Sequence, residues 1–372
     1  MRTIDIAKNV WKHAFVVQDR IDKGELPQRS VLYHYFGILS LYAAGQAAYY
    51  SKDEEWLMQA KEMIAEYPGN FDSPKLRFRP NFANYRVGGL AKSWMCMKGY
   101  FDDDTYQLDE LKKYADETLN SPKSHDGILC NPYCLEKELI WIDIVYAVAP
   151  FMLYAGIKLN DERYIDFAVD QTFKLYDVFL DESNGLLHQA RGFMGDKTTI
   201  SHDHWSRGNG WGYIGLIELL RYLPNDSKYY EEVKERYIAH SKAILKYQDY
   251  KGLWRQSMAE PFAWQESSGT GIFLYGFGVG LRLGVLDKDE FMPAFEKGIK
   301  GLYKYCINND FSIEKCCTSC LCPGDTPERK GTIEAYLVDT SVCRDDGHSF
   351  GPVILAMTEA YRNGIIDINE EE

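Results

Sequence analysis

No stretch of this 372-residue sequence is long and apolar enough to span a bilayer; the run IVYAVAPFMLYAGI is too short and carries Pro150. The amino-terminal MRTIDIAKNVWKHAF lacks the apolar core of about 7–15 residues that a secretory signal needs. No long basic run is present and the formal net charge is −13, so neither nucleic acid nor a membrane is expected as a partner. There is no phosphate-binding loop, no G-x-G-x-x-G and no G-x-S-x-G; no cofactor is expected. The nine cysteines are odd in number and scattered, which suits a reducing compartment better than a disulfide scaffold. The expected location is the cytoplasm, or the periplasm had an export signal been removed. No linker rich in Pro, Gly or Ser divides the chain, which predicts a single domain over 1–372. Strand-like alternation is sparse.

Aromatic residues, by contrast, are plentiful, with 27 Tyr and 8 Trp. Flat rings line sugar-binding clefts, and they also fill gaps between helices; most of the tyrosines are expected in the second role. A two-part unit recurs along the chain, an outer charged segment followed by an inner one rich in Gly, Ala, Trp and Tyr. The inner segments fall at 34–50, 85–100, 139–156, 207–223, 267–284 and 347–364. The outer ones precede them at 4–19, 53–66, 105–120, 161–180, 227–249 and 288–308, with the mixed charge of amphipathic helices. Turns such as HDGILCN, SNGLLHQ and YKGLWRQ repeat a Gly-apolar-apolar pattern that predicts short hairpin arms. Six such pairs predict an all-α fold, an (α/α)6 toroid with hairpin loops over a central pit, in preference to an open solenoid. Glycine inside a helix costs ~1 kcal/mol against alanine, so GTGIFLYGFGVG points to close helix contact.

Costly polar groups gather where inner helices begin. Asp143, in ELIWIDIVYA, has apolar neighbours that would desolvate it and keep it protonated near neutrality, as an acid catalyst requires; it also fits a helix-start cap. In SHDHWSRGNGW, Arg207 beside Trp205 and Trp211 could fork onto a carboxylate, with His202, His204 and Asn209 beside it, or pair internally with Asp203 or Glu218. His188 in GLLHQ would face the same pit. Trp264, Glu266, Ser267 and Ser268 in AWQESSGTGIF could hold hydroxyls or simply cap a helix. Arg344, Asp345, Asp346 and His348 lie at the last entrance, in a stretch that is also ordinary turn chemistry. YFDDDTYQ reads better as an acidic helix start than as a diphosphate–metal motif. CCTSCLC holds one C-x-x-C, Cys317 and Cys320, but no second pair completes a zinc site, so reduced thiols in a loop are expected and no metal.

At these residues the chain resembles the unsaturated rhamnogalacturonyl and glucuronyl hydrolases, over roughly residues 30–362. The pieces that carry the resemblance are WIDIVYAVAPFMLYAG, NGLLHQ, WSRGNGWGYIGLIELLRYLP, QDYKGLWRQ and ESSGTGIFLYGFGVGLRLGVL, and the rhamnogalacturonyl subgroup fits best. The resemblance implies removal of a terminal Δ4,5-unsaturated uronic acid from small lyase-generated oligosaccharides, by hydration of the C4=C5 bond. It implies Asp143 as general acid/base, Trp141 flanking it, and His188, Arg207 and Trp211 at substrate contacts. His204, Asn209, Glu266 and His348 are expected on the same wall. One departure stands out: related enzymes carry a second Asp near the second inner helix, where this chain has Asn84 and no Asp from 73 to 101. Two other readings compete, a different toroid enzyme such as an epimerase or an inverting glycosidase with carboxylates ~6.5–9.5 Å apart, and a non-catalytic sugar-binding toroid.

Overall fold

A computed structural model of the chain describes residues 1–67 and 80–368. The outer helices are α1 (Thr3–Asp22), α3 (Glu54–Ala65), α5 (Thr105–Leu119), α7 (Glu162–Phe179), α9 (Tyr230–Leu245) and α11 (Lys288–Cys306). The inner helices are α2 (Tyr35–Ser51), α4 (Gly89–Met97), α6 (Asp143–Leu159), α8 (Ser206–Tyr222), α10 (Ser267–Arg282) and α13 (Gly347–Arg362). A short helix, α12 (Ile333–Val338), sits in the long connection between α11 and α13 and was not anticipated from the periodicity. Each inner and outer helix begins within four residues of the position its pattern predicts, α4 and α6 being the furthest off, and the lead-in to α4 is itself helical. There the segment starting at 85 opens as a 3-10 turn, Ala83–Val87, and the α-helix follows.

Local chemistry sets these boundaries. Asp53, Asp104, Asp161 and Asp287 cap α3, α5, α7 and α11, each carboxylate accepting a backbone N–H of the first turn. Asp104 belongs to YFDDDTYQ, and its neighbour Asp102 pairs with Lys158, so this acidic run serves a helix start. The inner helices are buried on all sides; in α10 every residue from Ser267 to Gly280 is buried. A side chain at Gly276 would lie 2.0 Å from the Tyr213 ring, and one at Gly271 would lie 2.7 Å from Pro352. These glycines allow α10 to press against α8 and α13.

The fold is the (α/α)6 toroid. Closure is made by α13, which packs on α1, α2 and α10, while the Thr3 amide donates to the Ile366 carbonyl at 2.8 Å. The inner ends of four helices meet in a buried polar cluster. Glu218 and Arg221 of α8 pair at 2.9 Å. Tyr154 of α6 donates to Glu218 at 2.6 Å and bonds Tyr42 of α2 at 2.8 Å, and Tyr275 of α10 also donates to Glu218. Arg221 further donates to Gln46 at 2.8 Å. No helix among the described residues is long and apolar enough to cross a membrane.

Four two-stranded antiparallel sheets decorate the opposite end: β1 (Ile140–Trp141) with β4 (Ala190–Arg191), β2 (Leu180–Asp181) with β3 (Leu186–Leu187), β5 (Trp254–Arg255) with β6 (Gln265–Glu266), and β7 (Cys316–Cys317) with β8 (Val342–Cys343); β2–β3 and β5–β6 are hairpins, whereas β1–β4 and β7–β8 join segments distant in the chain. The GLLHQ and GLWRQ turns supply β3 and β5, as their pattern predicts.

Candidate active site

Asp143 is the first residue of α6. Strand β1 runs into the helix with Ile142 N–H donating to the Gln189 carbonyl at 2.8 Å, which fixes the carboxyl at the mouth of the ring. The residue is partly open, yet its Oδ2 is buried and has no hydrogen-bond partner. Burial pushes its pKa up to about 7, against the opposing pull of Arg207 and its own backbone amide; Asp203 adds to the rise and the Gln189 amide reduces it. A carboxyl in this state holds a proton close to neutrality and can still release it.

An aromatic wall surrounds this carboxyl. Tyr146 stacks on Trp211 at 4.4 Å and donates to the Tyr35 carbonyl at 2.8 Å. Tyr85 lies between Tyr35 and Tyr146, at 6.1 and 6.4 Å, and Trp141 meets Phe82 at 5.8 Å. The Tyr35 hydroxyl reaches His348 Nε2 at 2.6 Å, and His348 Nδ1 lies 2.5 Å from Asp346. Burial, aided by Arg207, pushes His348 down to about 4, so the ring is neutral. With its one proton held toward Asp346, His348 accepts at Nε2 and Tyr35 donates. Tyr35, Tyr85 and Gln189 were not singled out from sequence. Their only signal was position, beside the start of an inner segment or a residue already named.

Several sequence-predicted contacts prove to be buried framework. Arg207 has no exposed surface; its guanidinium donates to the carbonyls of Cys317 (2.7 Å) and Thr318 (2.8 Å) and to Ser268 Oγ (3.0 Å), lies 3.7 Å from Glu266 and stacks 4.5 Å over Trp205. The fork expected to take a substrate carboxylate is therefore filled by the 316–318 backbone, and its acidic partner is neither Asp203 nor Glu218. Glu266 is equally enclosed, capping α10 by accepting from the amides of Ser268 and Gly269 and from Cys317 N–H at 3.0 Å. Asn209 brackets Leu187, accepting its N–H and donating to its carbonyl, and so ties β3 to α8. Trp211 is fully buried behind Tyr146. These positions shape the wall from behind; in this conformation they do not touch the pit.

Asn84 is also fully buried, donating to the Ala147 carbonyl at 2.6 Å one turn along α6 from Asp143, with its own Oδ1 unpartnered. Part of the Asp-free stretch, residues 73–79, lies outside the described residues. The His188 and His204 rings lie 4.9 Å apart, tilted by 30°, and close around Asp181. His202 is exposed. The sulfurs of Cys316, Cys317, Cys320 and Cys322 are buried free thiols, and among the described residues they form no metal-ready group.

Glycosyl Hydrolase Family 88 matches residues 8–364 of the chain. An unsaturated 3S-rhamnoglycuronyl hydrolase from Formosa agariphila is 28% identical over 235 residues, which are 60% of this chain and 56% of that protein. The chain thus spans little more than half the length of that curated relative. A solved structure from Klebsiella pneumoniae, described as a possible member of the GH105 family, superposes with a TM-score of 0.79 at 17% identity, covering 97% of this chain and 93% of that one. The unsaturated glucuronyl hydrolase from Bacillus sp. GL1 superposes with a TM-score of 0.61 at 17% identity, over 89% and 86% of the two chains.

Proposed function

The chain belongs to Glycosyl Hydrolase Family 88, and on that premise we propose that it removes a terminal Δ4,5-unsaturated uronic acid from oligosaccharides left by a polysaccharide lyase. The carrying observation is Asp143, a partly open residue whose carboxyl has one unpartnered buried oxygen and is raised to about 7 by burial. A carboxyl in that state matches the need for a group that is acid first and base next. In this reading Asp143 gives its proton to C4 of the enol ether, and the carboxylate so formed takes a proton from the water that adds to C5. The C5 hemiketal then opens by breaking its bond to the ring oxygen. That oxygen becomes a hydroxyl on C1, and the C1 hemiacetal releases the remaining sugar as an alcohol. No glycosidic oxygen is protonated by the enzyme at the outset, so a second carboxylate is not required, and Asn84 is compatible with the chemistry.

Trp141, Tyr35 and Tyr85 are assigned to the sugar-facing wall, with the neutral His348 orienting the Tyr35 hydroxyl. Arg207 acts through its field and by holding the Cys317–Thr318 backbone, without touching the substrate. The relative from Formosa agariphila supports a rhamnose-linked uronate as substrate class.

Hydration destroys the conjugation of the unsaturated uronate, so loss of its ultraviolet absorbance reports the reaction directly. The expected result is absorbance loss on lyase-digested uronans, abolished in Asp143→Asn with the fold retained. No loss across digests of pectin, glycosaminoglycan and algal uronan would refute the proposal, and so would full activity in Asp143→Asn.

A further inference from the structure

Hairpin β2–β3 and the loop leading into α8 bring together three side chains, one of which, His188, the family resemblance places at a substrate contact. Asp181, His188 and His204 each present one donor atom, all within 4.8 Å of one another, and all three residues are partly open to solvent. His188 Nδ1 lies 2.9 Å from the Asp203 carbonyl oxygen. A carbonyl only accepts, so that nitrogen carries the proton and Nε2 keeps a free lone pair. His204 Nε2 lies 3.0 Å from Asp181 Oδ2 and 3.2 Å from Asn184 Nδ2.

That second geometry contains a conflict. Asn184 accepts the Leu186 amide at 2.7 Å through its carbonyl oxygen, so its Nδ2 is oriented as a donor, and it also donates to Asp181 at 2.7 Å. One imidazole nitrogen cannot donate to Asp181 and accept from Asn184 together. A cation seated between the carboxylate and the two rings resolves it: both Nε2 lone pairs turn to the ion, and Asn184 supports the carboxylate from outside. The Asp203 carbonyl and Asn184 are then the outer partners that metal ligands characteristically have.

We propose that Asp181, His188 and His204 form a binding site for a divalent first-row transition metal of the Zn2+ class. Two imidazoles and a carboxylate suit such an ion and leave further coordination positions to water or an oxygen ligand. Metal–ligand bonds of about 2.0–2.2 Å put donor atoms about 3.3 Å apart; the Asp181–His204 pair already lies near that spacing, and His188 must close in on them. The ion would staple the hairpin that follows α7 to the loop that carries Asp203 and Trp205 toward the Asp143 pocket.

The test uses the full chain stripped with a chelator, titrated with Zn2+ against a chromogenic competitor and with Co2+ by visible absorption. The expected result is saturable binding of one equivalent, with ligand-field bands for Co2+. His204→Gln and His188→Gln should remove the saturable binding, and Asn184→Ala should weaken it about tenfold as an outer-shell loss. Asp143→Asn should bind as the parent does, which separates this proposal from the reading of the active site. Absence of saturable binding in the parent would overturn it, as would binding undiminished in His204→Gln. Urea midpoints measured without metal identify any variant that has lost its fold, and Asn184→Ala, which leaves all three ligands in place, carries the test if one has.

Discussion

Replacing Asp143 with Asn should remove a pH-dependent penalty on stability that this buried carboxyl imposes on the ring. Burial lifts this carboxyl from an ordinary 3.8 to about 7, a rise of about three units. Between those two values the unfolded chain has released the proton while the folded one retains it, so stability falls as pH rises through that window and levels off above it. Each unit corresponds to about 1.4 kcal/mol, which sets an upper bound of about 4 kcal/mol. The carboxyl is partly open, and solvent screening brings the expected figure nearer about 2 kcal/mol. Asp143→Asn has no such titration. Urea unfolding of both proteins from pH 4 to 8 should therefore give curves whose separation grows by about 2 kcal/mol and then stops growing near pH 7. For a chain of this length each kcal/mol moves the melting temperature by about 1–2 °C, so heating should show the same trend over a few degrees. Other titrating groups are shared by the two proteins and cancel in the difference. Any fixed cost of the unpartnered amide shifts the curves without tilting them. Parallel curves across the window would refute the claim that Asp143 is held protonated by its surroundings.

Arg207→Ala leaves Glu266 buried without its counter-charge and the Cys317 and Thr318 carbonyls without a donor, and should cost about 3–5 kcal/mol in urea; a variant as stable as the parent but with a raised KM would instead put Arg207 in contact with substrate. Asn84→Asp can donate to the Ala147 carbonyl only while protonated, so it should cost about 1–3 kcal/mol at pH 7 and less as the pH falls; equal stability at pH 7 would contradict the burial and hydrogen bond assigned to Asn84.

The helices were legible because each signal is local. Charge and apolar period mark the outer set, Asp caps mark their starts, and interrupted glycines mark the crowded inner set. The burial of the Asp143 carboxyl was legible for a similar reason, since its sequence neighbours Trp141, Ile142, Ile144 and Val145 are apolar and themselves buried. Arg207, Asn209 and Glu266 could be recognised as costly groups at an inner-helix start, but not as framework. Whether a guanidinium faces a pit or a core depends on what fills its fork, and here that is the backbone of Cys317 and Thr318, over a hundred residues along the chain. The sequence neighbours of His188 and His204 point them to the pit wall, but nothing local in sequence shows Asp181, from the preceding strand β2, as the group that gathers them. Tyr35 was one tyrosine among 27 until His348 met it.

The Glu218–Arg221–Tyr154–Tyr275 cluster lies toward the carboxyl-terminal halves of the inner helices, whereas Asp143, Glu266 and His348 lie at their amino-terminal ends. The toroid is thus corked at one end by charges that cannot part without stranding each other in the dark. On the proposed reaction, a sugar chain enters from the amino-terminal ends of the inner helices, tip first, and its released part leaves by the same end.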